Sequence, residues 1–577
     1  MSELLNATWR LPHRLAYVVS HSYPYSSNGY AVRTHEVARA LTQQGHDVLV
    51  INRPGRPWDI SGVSPHLAVP AEQRIDGVRY IFLPVDTKPH AGVRAQIRGA
   101  ERALFEAFQV FRPGAVMAAS NWETAEPAQN AARRWGAPFF YEQRGFWEMS
   151  RITWEPEYER SAAYQRERDN EVRIARDAQA VFTLNMAMRK EMIDRGIPAE
   201  RIHLVPNGVS VPGRIAPDIT RQSLGCTTRY LLAYIGTLSV YEGCEDLVQL
   251  LTRLRRNGVD VALMIVGSSA PKGMVDTPQV TDQDPDLEMQ LRAQAEASGV
   301  AEHLHFVPRV PHARIGAYYA MSDAIVMPRR RRAVTELVAP IKPYTAASYG
   351  VPVFMTDMAP LDEIAQDIHA KLFPEGDIEA MAEMLGQALK SGAHVTSIKP
   401  LDASVFWPQR VQPILRQLEL AARMAPSLPT VRSAVSAPAV ARPFDTWKLP
   451  RVALQTQLDT GVVAAIGPCR HLPRARLTRL TRVNILSELA MGEGGRFVID
   501  WCGLQEDPGE WAGLWSIDNM RLNRQIMEAC RVAVDRGWQI QVTGPVRRAK
   551  APLFRTVSAL FEEIIPESAC AYQEAAQ

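Results

Sequence analysis

Short apolar runs recur along the first 400 residues, each followed by a turn-rich segment and then by apolar positions at helical spacing. Residues 14–20 (RLAYVVS) lead into HSYPYSSNGY, then into the helical pattern THEVARALTQQG and a second apolar run, HDVLVI. Gly45 stands just past that helix, where a C-terminal glycine cap is expected. The runs are apolar on both faces, as in parallel strands covered by helices on either side. The alternation continues through GVRYIFLP, a helix around 93–110, AVMAAS, a helix at 122–135, PFFYEQRG and AVFTLN. It predicts a doubly wound α/β domain over residues 1–205.

A second series starts at YLLAYIG (230–236) and runs through a helix at 243–256, VALMIVG, HLHFVP, AIVMP and PVFMTD. It predicts a second Rossmann-like domain over 206–402, with the polar stretch 268–287 as a surface insertion. In such sheets ligands bind at the carboxyl ends of the strands, so two in tandem place a cleft between them. The segment VFWPQRVQPILRQLELAARM predicts a last helix at 403–423 that returns to the first domain. Residues 424–450 are rich in Pro, Ala and Ser and lack helical periodicity, which marks an exposed linker. Beyond it, GRFVIDW and WQIQVTG read as strands, and 518–536 and 552–564 as helices. The fold class is therefore α/β: two tandem Rossmann-like domains and a small additional α/β domain over 451–577.

Composition narrows the function classes. Lys+Arg 65 against Asp+Glu 62 leaves a formal charge of +3, too little for binding nucleic acid by bulk charge. The cysteines at 226, 244, 469, 502, 530 and 570 form no C-x-x-C pair and have no histidine at zinc-ligand spacing, so neither a disulfide framework nor a metal site is expected. The start MSELLNATWRLPHRL lacks the apolar core of a signal peptide, and no run reaches the roughly 18 apolar residues of a membrane span. A cytoplasmic location is expected, and peripheral contact with the inner membrane face is compatible with it.

Taken together, SNGYAVRTHEVARALTQQGHDVLVINRPG, YEQRGFWE, HLVPNGV, YIGTLSVYEGCEDL and SDAIVMPRRRRAVTELVAPIKPYTAASYGVPVFMTD resemble, in order, the family-four retaining glycosyltransferases of GT-B fold. The resemblance covers roughly residues 14–420 and is strongest to a bacterial branch of surface and exopolysaccharide assembly. It implies a metal-independent, cofactor-free, hexosyltransferase-type enzyme that moves a sugar from a UDP- or GDP-type donor to a polysaccharide or lipid-linked acceptor. The first domain would bind acceptor and the second donor.

The chemistry asks for fixed cations and backbone N–H groups around a departing diphosphate, with no strong general acid. Gly29, in the Ser27-Asn28-Gly29 loop before the first helix, and Gly236, after the first strand of the second domain, fit close backbone approach to phosphates. Arg144 takes the place where many family members carry a histidine near the reacting centre, and an ion pair with Glu142 or Glu148 is the structural alternative. Trp147 is a candidate sugar platform or a core residue. Asn207 and Gly208 fit the interdomain turn. By the resemblance, Glu336 lies near the donor sugar hydroxyls, Lys342 and Arg329 near the diphosphate, and Thr345 at the ribose, where relatives place a glutamate. Arg331 and Arg332 read as solvated surface.

The donor loop departs from the family pattern. Relatives carry arginine and lysine where this chain has Thr237 and Glu242 in GTLSVYEG, so Lys342 and Arg329 are expected to replace that pair. The departure keeps two other readings open, a scaffold with a degenerate donor site and a sugar-nucleotide epimerase, which needs a carboxylate pair in the cleft. Near the end of the chain, Asp500, Glu506, Asp507 and Glu510 stand close to three tryptophans, an arrangement that fits carbohydrate stacking or a core with a polar loop.

Overall fold

A computed structural model describes residues 10–424, 463–543 and 564–565, with short interruptions of which 269–284 and 392–399 are the longest. Nearly all of the expected linker, residues 269–284 of the polar insertion and most of the helix expected at 552–564 lie outside the described residues, and the last residues of the insertion open a helix, Pro285–Ala297.

The first sheet has eight strands: β1 (Leu11–Val19), β2 (Asp47–Asn52), β3 (Glu72–Ile75), β4 (Val78–Ile81), β5 (Pro113–Ala119), β6 (Phe139–Gln143), β7 (Ala180–Thr183) and β8 (Ile202–Leu204). Their order is β3-β4-β2-β1-β5-β6-β7-β8, parallel except for the β3–β4 hairpin. The order reverses direction between β1 and β5, so the loops after those two strands flank a crevice, which is where doubly wound sheets bind ligands. Helix α1 (Gly29–Gln43) follows β1, and helix α2 (Val93–Phe111) precedes β5.

The second sheet comprises β9 (Tyr230–Ile235), β10 (Val261–Val266), β11 (Leu304–Val307), β12 (Ala324–Met327), β13 (Val353–Thr356) and β14 (Lys371–Phe373) in the order β11-β10-β9-β12-β13-β14. All its pairings are parallel. Strands β9, β10 and β12 are buried along their whole length, which explains their unbroken apolar sequences. The switch point here falls between β9 and β12. Gly236 and Arg329 therefore lie on adjacent loops.

The chain crosses between the two sheets twice, side by side: the Val209 N–H donates to Val405 O at 2.8 Å, and Val209 bridges Phe406. Gly208 is required at this crossing, because a Cβ there would lie 2.9 Å from the Trp407 ring. The return helix α3 (Gln412–Met424) buries Ile414, Leu415 and Leu418 in the apolar layer beneath the first sheet, together with Val411 and Trp407 ahead of it.

The third sheet is parallel and smaller: β15 (Val463–Ile466), β16 (Leu477–Arg479), β17 (Gly495–Ile499), β18 (Trp538–Thr543) and β19 (Ile564–Ile565), in the order β16-β15-β17-β18-β19. Its helix α4 (Met520–Asp535) packs on α2 of the first domain. Arg524 of α4 stands 3.6 Å from Glu106, and Ile526, Ala529 and Cys530 belong to the same apolar cluster as Leu104 and Phe108. A Pro/Ala/Ser linker implies few crossing contacts, yet this docking covers an apolar helix face. Linker composition reports on the linker backbone and not on what the flanking domains bury. Trp501, Trp511 and Trp515 are likewise buried, and Asp500 accepts from the Gly503 and Cys469 N–H groups, so this cluster is a core with a capping carboxylate and offers no stacking surface.

Candidate active site

The two switch points face one another across a cleft of about 460 Å³. The first domain contributes His21, Asn28, Gly29, Tyr30, Ser120, Arg144 and Trp147, and the second Gly236, Thr237, Tyr241, Glu242, Arg309, Arg329, Lys342 and Thr345, with Asn207 of the connection between them. The domains already touch at its floor, where a Cβ on Gly29 would lie 3.3 Å from Ile341 Cγ2. Gly29, Gly236, Arg144, Arg329, Lys342 and Thr345 thus share one cavity. Glu336 does not line it: its half-exposed side chain pairs with Arg331 at 3.3 Å.

Asn28 caps α1, its Oδ1 accepting the Ala31 N–H at 3.0 Å. That fixes its amide nitrogen on His21 Nε2 at 2.9 Å, so the His21 proton sits on Nδ1, 2.7 Å from Ser20 Oγ. Burial first, then the positive field of Arg56 and Arg144, lowers the His21 pKa to about 3. The imidazole is neutral and both its nitrogens are occupied. It shapes the glycine loop, whose helix N-terminus presents partial positive charge to the cleft.

Arg144, behind Tyr30, is 6% exposed. Its Nε and Nη2 hold Glu142 Oε2 at 2.9 and 2.8 Å, its Nη1 donates to Tyr30 O at 3.0 Å and Thr34 Oγ1 at 2.8 Å, and Nη2 also donates to Tyr17 Oη. All three nitrogens of this guanidinium are engaged by protein. Arg33, one turn into α1, completes the network: Nε holds Glu142 Oε1 at 2.9 Å, Nη1 holds Asn207 Oδ1 at 3.0 Å and Nη2 holds Val205 O at 2.8 Å. Asn207 in turn donates to Ala339 O of the second domain at 3.2 Å. Burial raises the Glu142 pKa, but Arg144 and Arg33 outweigh it and bring it to about 2.

On the opposite wall a second carboxylate lies between two cations. Glu242 is 4% exposed; Lys342 Nζ is 3.2 Å from its Oε2 and Arg329 Nη2 is 3.8 Å from its Oε1. Lys342 also donates to Tyr234 Oη at 2.7 Å, and Arg329 Nη1 donates to Val338 O at 3.0 Å. Arg329 Nε is buried without an acceptor. Burial raises the Glu242 pKa, and Lys342 and Arg329 lower it by more, so the side chain is ionised at neutral pH. Thr345, one turn into the helix Lys342–Ser348, donates to Ile341 O at 3.4 Å. Arg331 and Arg332 are turned toward solvent and Glu336, Glu375 and backbone carbonyls.

Sequence reading missed His21, Arg33 and Arg309 in the lining. Arg33 and Glu142 carried a usable signal, charged residues placed in helix and strand patterns otherwise destined for burial. His21 and Arg309 lie in loops, where no periodicity constrains a side chain.

Residues 28–208 match the family described as glycosyl transferase 4-like domain, and residues 217–400 match glycosyl transferases group 1. The chain belongs to the GT-B-fold glycosyltransferases. This glycosyltransferase is similar to D-inositol 3-phosphate glycosyltransferase of Acidothermus cellulolyticus, 23% identical over 71% of this chain and 90% of that enzyme. It is 28% identical to the GDP-mannose-dependent alpha-(1-6)-phosphatidylinositol monomannoside mannosyltransferase of Mycolicibacterium smegmatis, over 38% of this chain and only 54% of that enzyme. Among solved structures, sucrose-phosphate synthase from Thermosynechococcus elongatus superposes with a TM-score of 0.53 at 14% identity, over 71% of this chain and 99% of that one. The glycosyltransferase transfers a sugar from a nucleotide-sugar donor to an acceptor. Among the described residues no group of three or more His, Cys, Asp or Glu is placed to hold a metal, and no helix is long and apolar enough to cross a membrane. Both matches end before the third domain.

Proposed function

We propose that the enzyme is a retaining glycosyltransferase using a UDP- or GDP-sugar and a polysaccharide or lipid-linked glycan acceptor, with the diphosphate held by Lys342, Arg329, the Gly236 loop and the α1 N-terminus. The observation that carries the retaining assignment is the composition of the cleft: Glu242 is the sole carboxylate in the described lining, buried and paired, and His21 is neutral with both nitrogens engaged. An inverting displacement needs a base on the acceptor hydroxyl, across the sugar from the leaving group. Without one, the departing phosphate oxygen is the nearest base. The C1–phosphate bond breaks, the acceptor oxygen bonds C1 on the same face, and its proton passes to the diphosphate. The same lining disfavours the epimerase reading, which requires two free carboxyls. Arg144, with its donors committed, acts as a positioning residue behind Tyr30, and Trp147 at the first-domain wall is available to a sugar face. The activities of the similar Mycolicibacterium and Acidothermus enzymes support a glycan or inositol-type acceptor.

The test is incubation with a panel of UDP- and GDP-sugars and glycan acceptors, with the anomeric configuration of the product read by NMR. Retained configuration is expected. Inversion would overturn the mechanism, and nucleotide-sugar epimerisation without acceptor would overturn the transferase assignment.

A further inference from the structure

We infer that Glu242 determines the specificity of the donor phosphate subsite as a built-in counter-anion, competing with the donor diphosphate for Lys342 and Arg329 and so hastening release of the nucleoside diphosphate product. The inference rests on the reading that these two cations hold the diphosphate.

Glu242 is fixed where it stands. It ends a short 3-10 turn, Val240–Glu242, and is followed by Gly243 in the left-handed region at φ 66°. A Cβ on Gly243 would lie 2.0 Å from Pro328 O, and the Arg330 N–H donates to Tyr241 O at 2.9 Å. The loop carrying Glu242 is thereby tied to the segment carrying Arg329, and moving one without the other breaks a backbone hydrogen bond. The backbone that carries the carboxylate therefore moves only together with the Arg329 segment.

Its effect on the cations is visible in the position of Lys342. The side chain of Lys342 runs across the Gly236 loop, so that a Cβ on Gly236 would lie 2.3 Å from Lys342 Cε and 2.5 Å from Nζ. The ammonium therefore lies against the Gly236 loop, held there by Glu242 and Tyr234. Arg329 is held less closely, at 3.8 Å from Glu242. Two cations and one carboxylate leave one net positive charge against the two negative charges of a diphosphate ester. With the diphosphate seated, Glu242 stands a few ångströms from its oxygens and repels them. A monophosphate meets less of that repulsion.

The experiment is calorimetric titration of UDP, GDP, UMP and GMP into full-length wild type and Glu242→Gln, which keeps the side-chain shape and removes the charge. The diphosphate of whichever base binds should tighten about tenfold or more, with a much smaller change for the monophosphate. Product inhibition in steady-state transfer should deepen in parallel. Glu242→Thr, small and neutral, carries the same expectation should the glutamine variant fail to fold. An unchanged or lower diphosphate-to-monophosphate affinity ratio would overturn the inference and assign Glu242 to holding the cations in place. Absence of binding by all four nucleotides to every protein would instead remove the donor-site reading, and this inference with it.

Discussion

On each side of the cleft a buried carboxylate lies between two cations, Glu242 in the wall itself and Glu142 behind it, and the two triads differ in what they leave over. In the first domain Glu142 is held by Arg144 and Arg33 at 2.8–2.9 Å, and every Arg144 nitrogen is paired with protein. In the second domain Lys342 remains 21% exposed in its side chain, Arg329 keeps an unsatisfied Nε, and its distance to Glu242 is 3.8 Å. A saturated network fixes structure, whereas an unsaturated one of the same composition has binding capacity to give a ligand. The charged residues alone do not separate the two cases. The count of uncommitted donors does.

The largest expected effect is on the saturated side. Glu142→Gln leaves two buried guanidinium groups uncompensated and should cost about 3–5 kcal/mol of unfolding free energy, measured by denaturant titration. Its pH dependence is a second readout. A carboxylate whose folded pKa is depressed contributes stability above its unfolded value, lost as pH falls through its folded value. Wild type should therefore lose this contribution between pH 4.5 and about 2, and the variant should lack that component. A variant as stable as wild type would break the comparison.

On the unsaturated side, Arg329→Ala should weaken UDP or GDP by about 1.5–3 kcal/mol, and UMP or GMP by less, with a separate loss of stability because buried Glu242 keeps only Lys342 as its cation. Calorimetry and a parallel melting curve separate the two. Thr345→Glu, which places a carboxylate at the second turn of the cleft helix, should tighten nucleotide binding by about 1–2 kcal/mol if the ribose hydroxyls lie there. Affinity unchanged in titrations with UDP and GDP would place the ribose elsewhere. The smallest effect is expected of Arg332→Ala, whose side chain faces solvent: under about 0.5 kcal/mol in both stability and diphosphate affinity.

The architecture was legible because its signal is repeated. Unbroken apolar strands such as YLLAYI and VALMIV alternate with amphipathic helices, and strands buried on both faces admit little else. The loop positions of Gly29, Gly236 and Arg329 followed from strand order. What a loop side chain does there did not, since Glu336 sits in the expected segment yet turns outward to Arg331, and Arg144 faces the cleft with its donors committed behind it. Those outcomes depend on three-dimensional charge pairing, which has no sequence period. The docking of α4 on α2 was illegible for the same reason: each helix shows an apolar face, and nothing in the pattern of either names its partner.

The central claim is that the cation held over the Gly236 loop is there for the donor diphosphate, and titration of Lys342→Ala with diphosphate and monophosphate nucleotides tests it most directly. The account predicts a tenfold or greater loss for UDP or GDP, on the order of 1.5–3 kcal/mol, with UMP or GMP affected far less. Equal losses for mono- and diphosphate, or undiminished diphosphate binding, would contradict it.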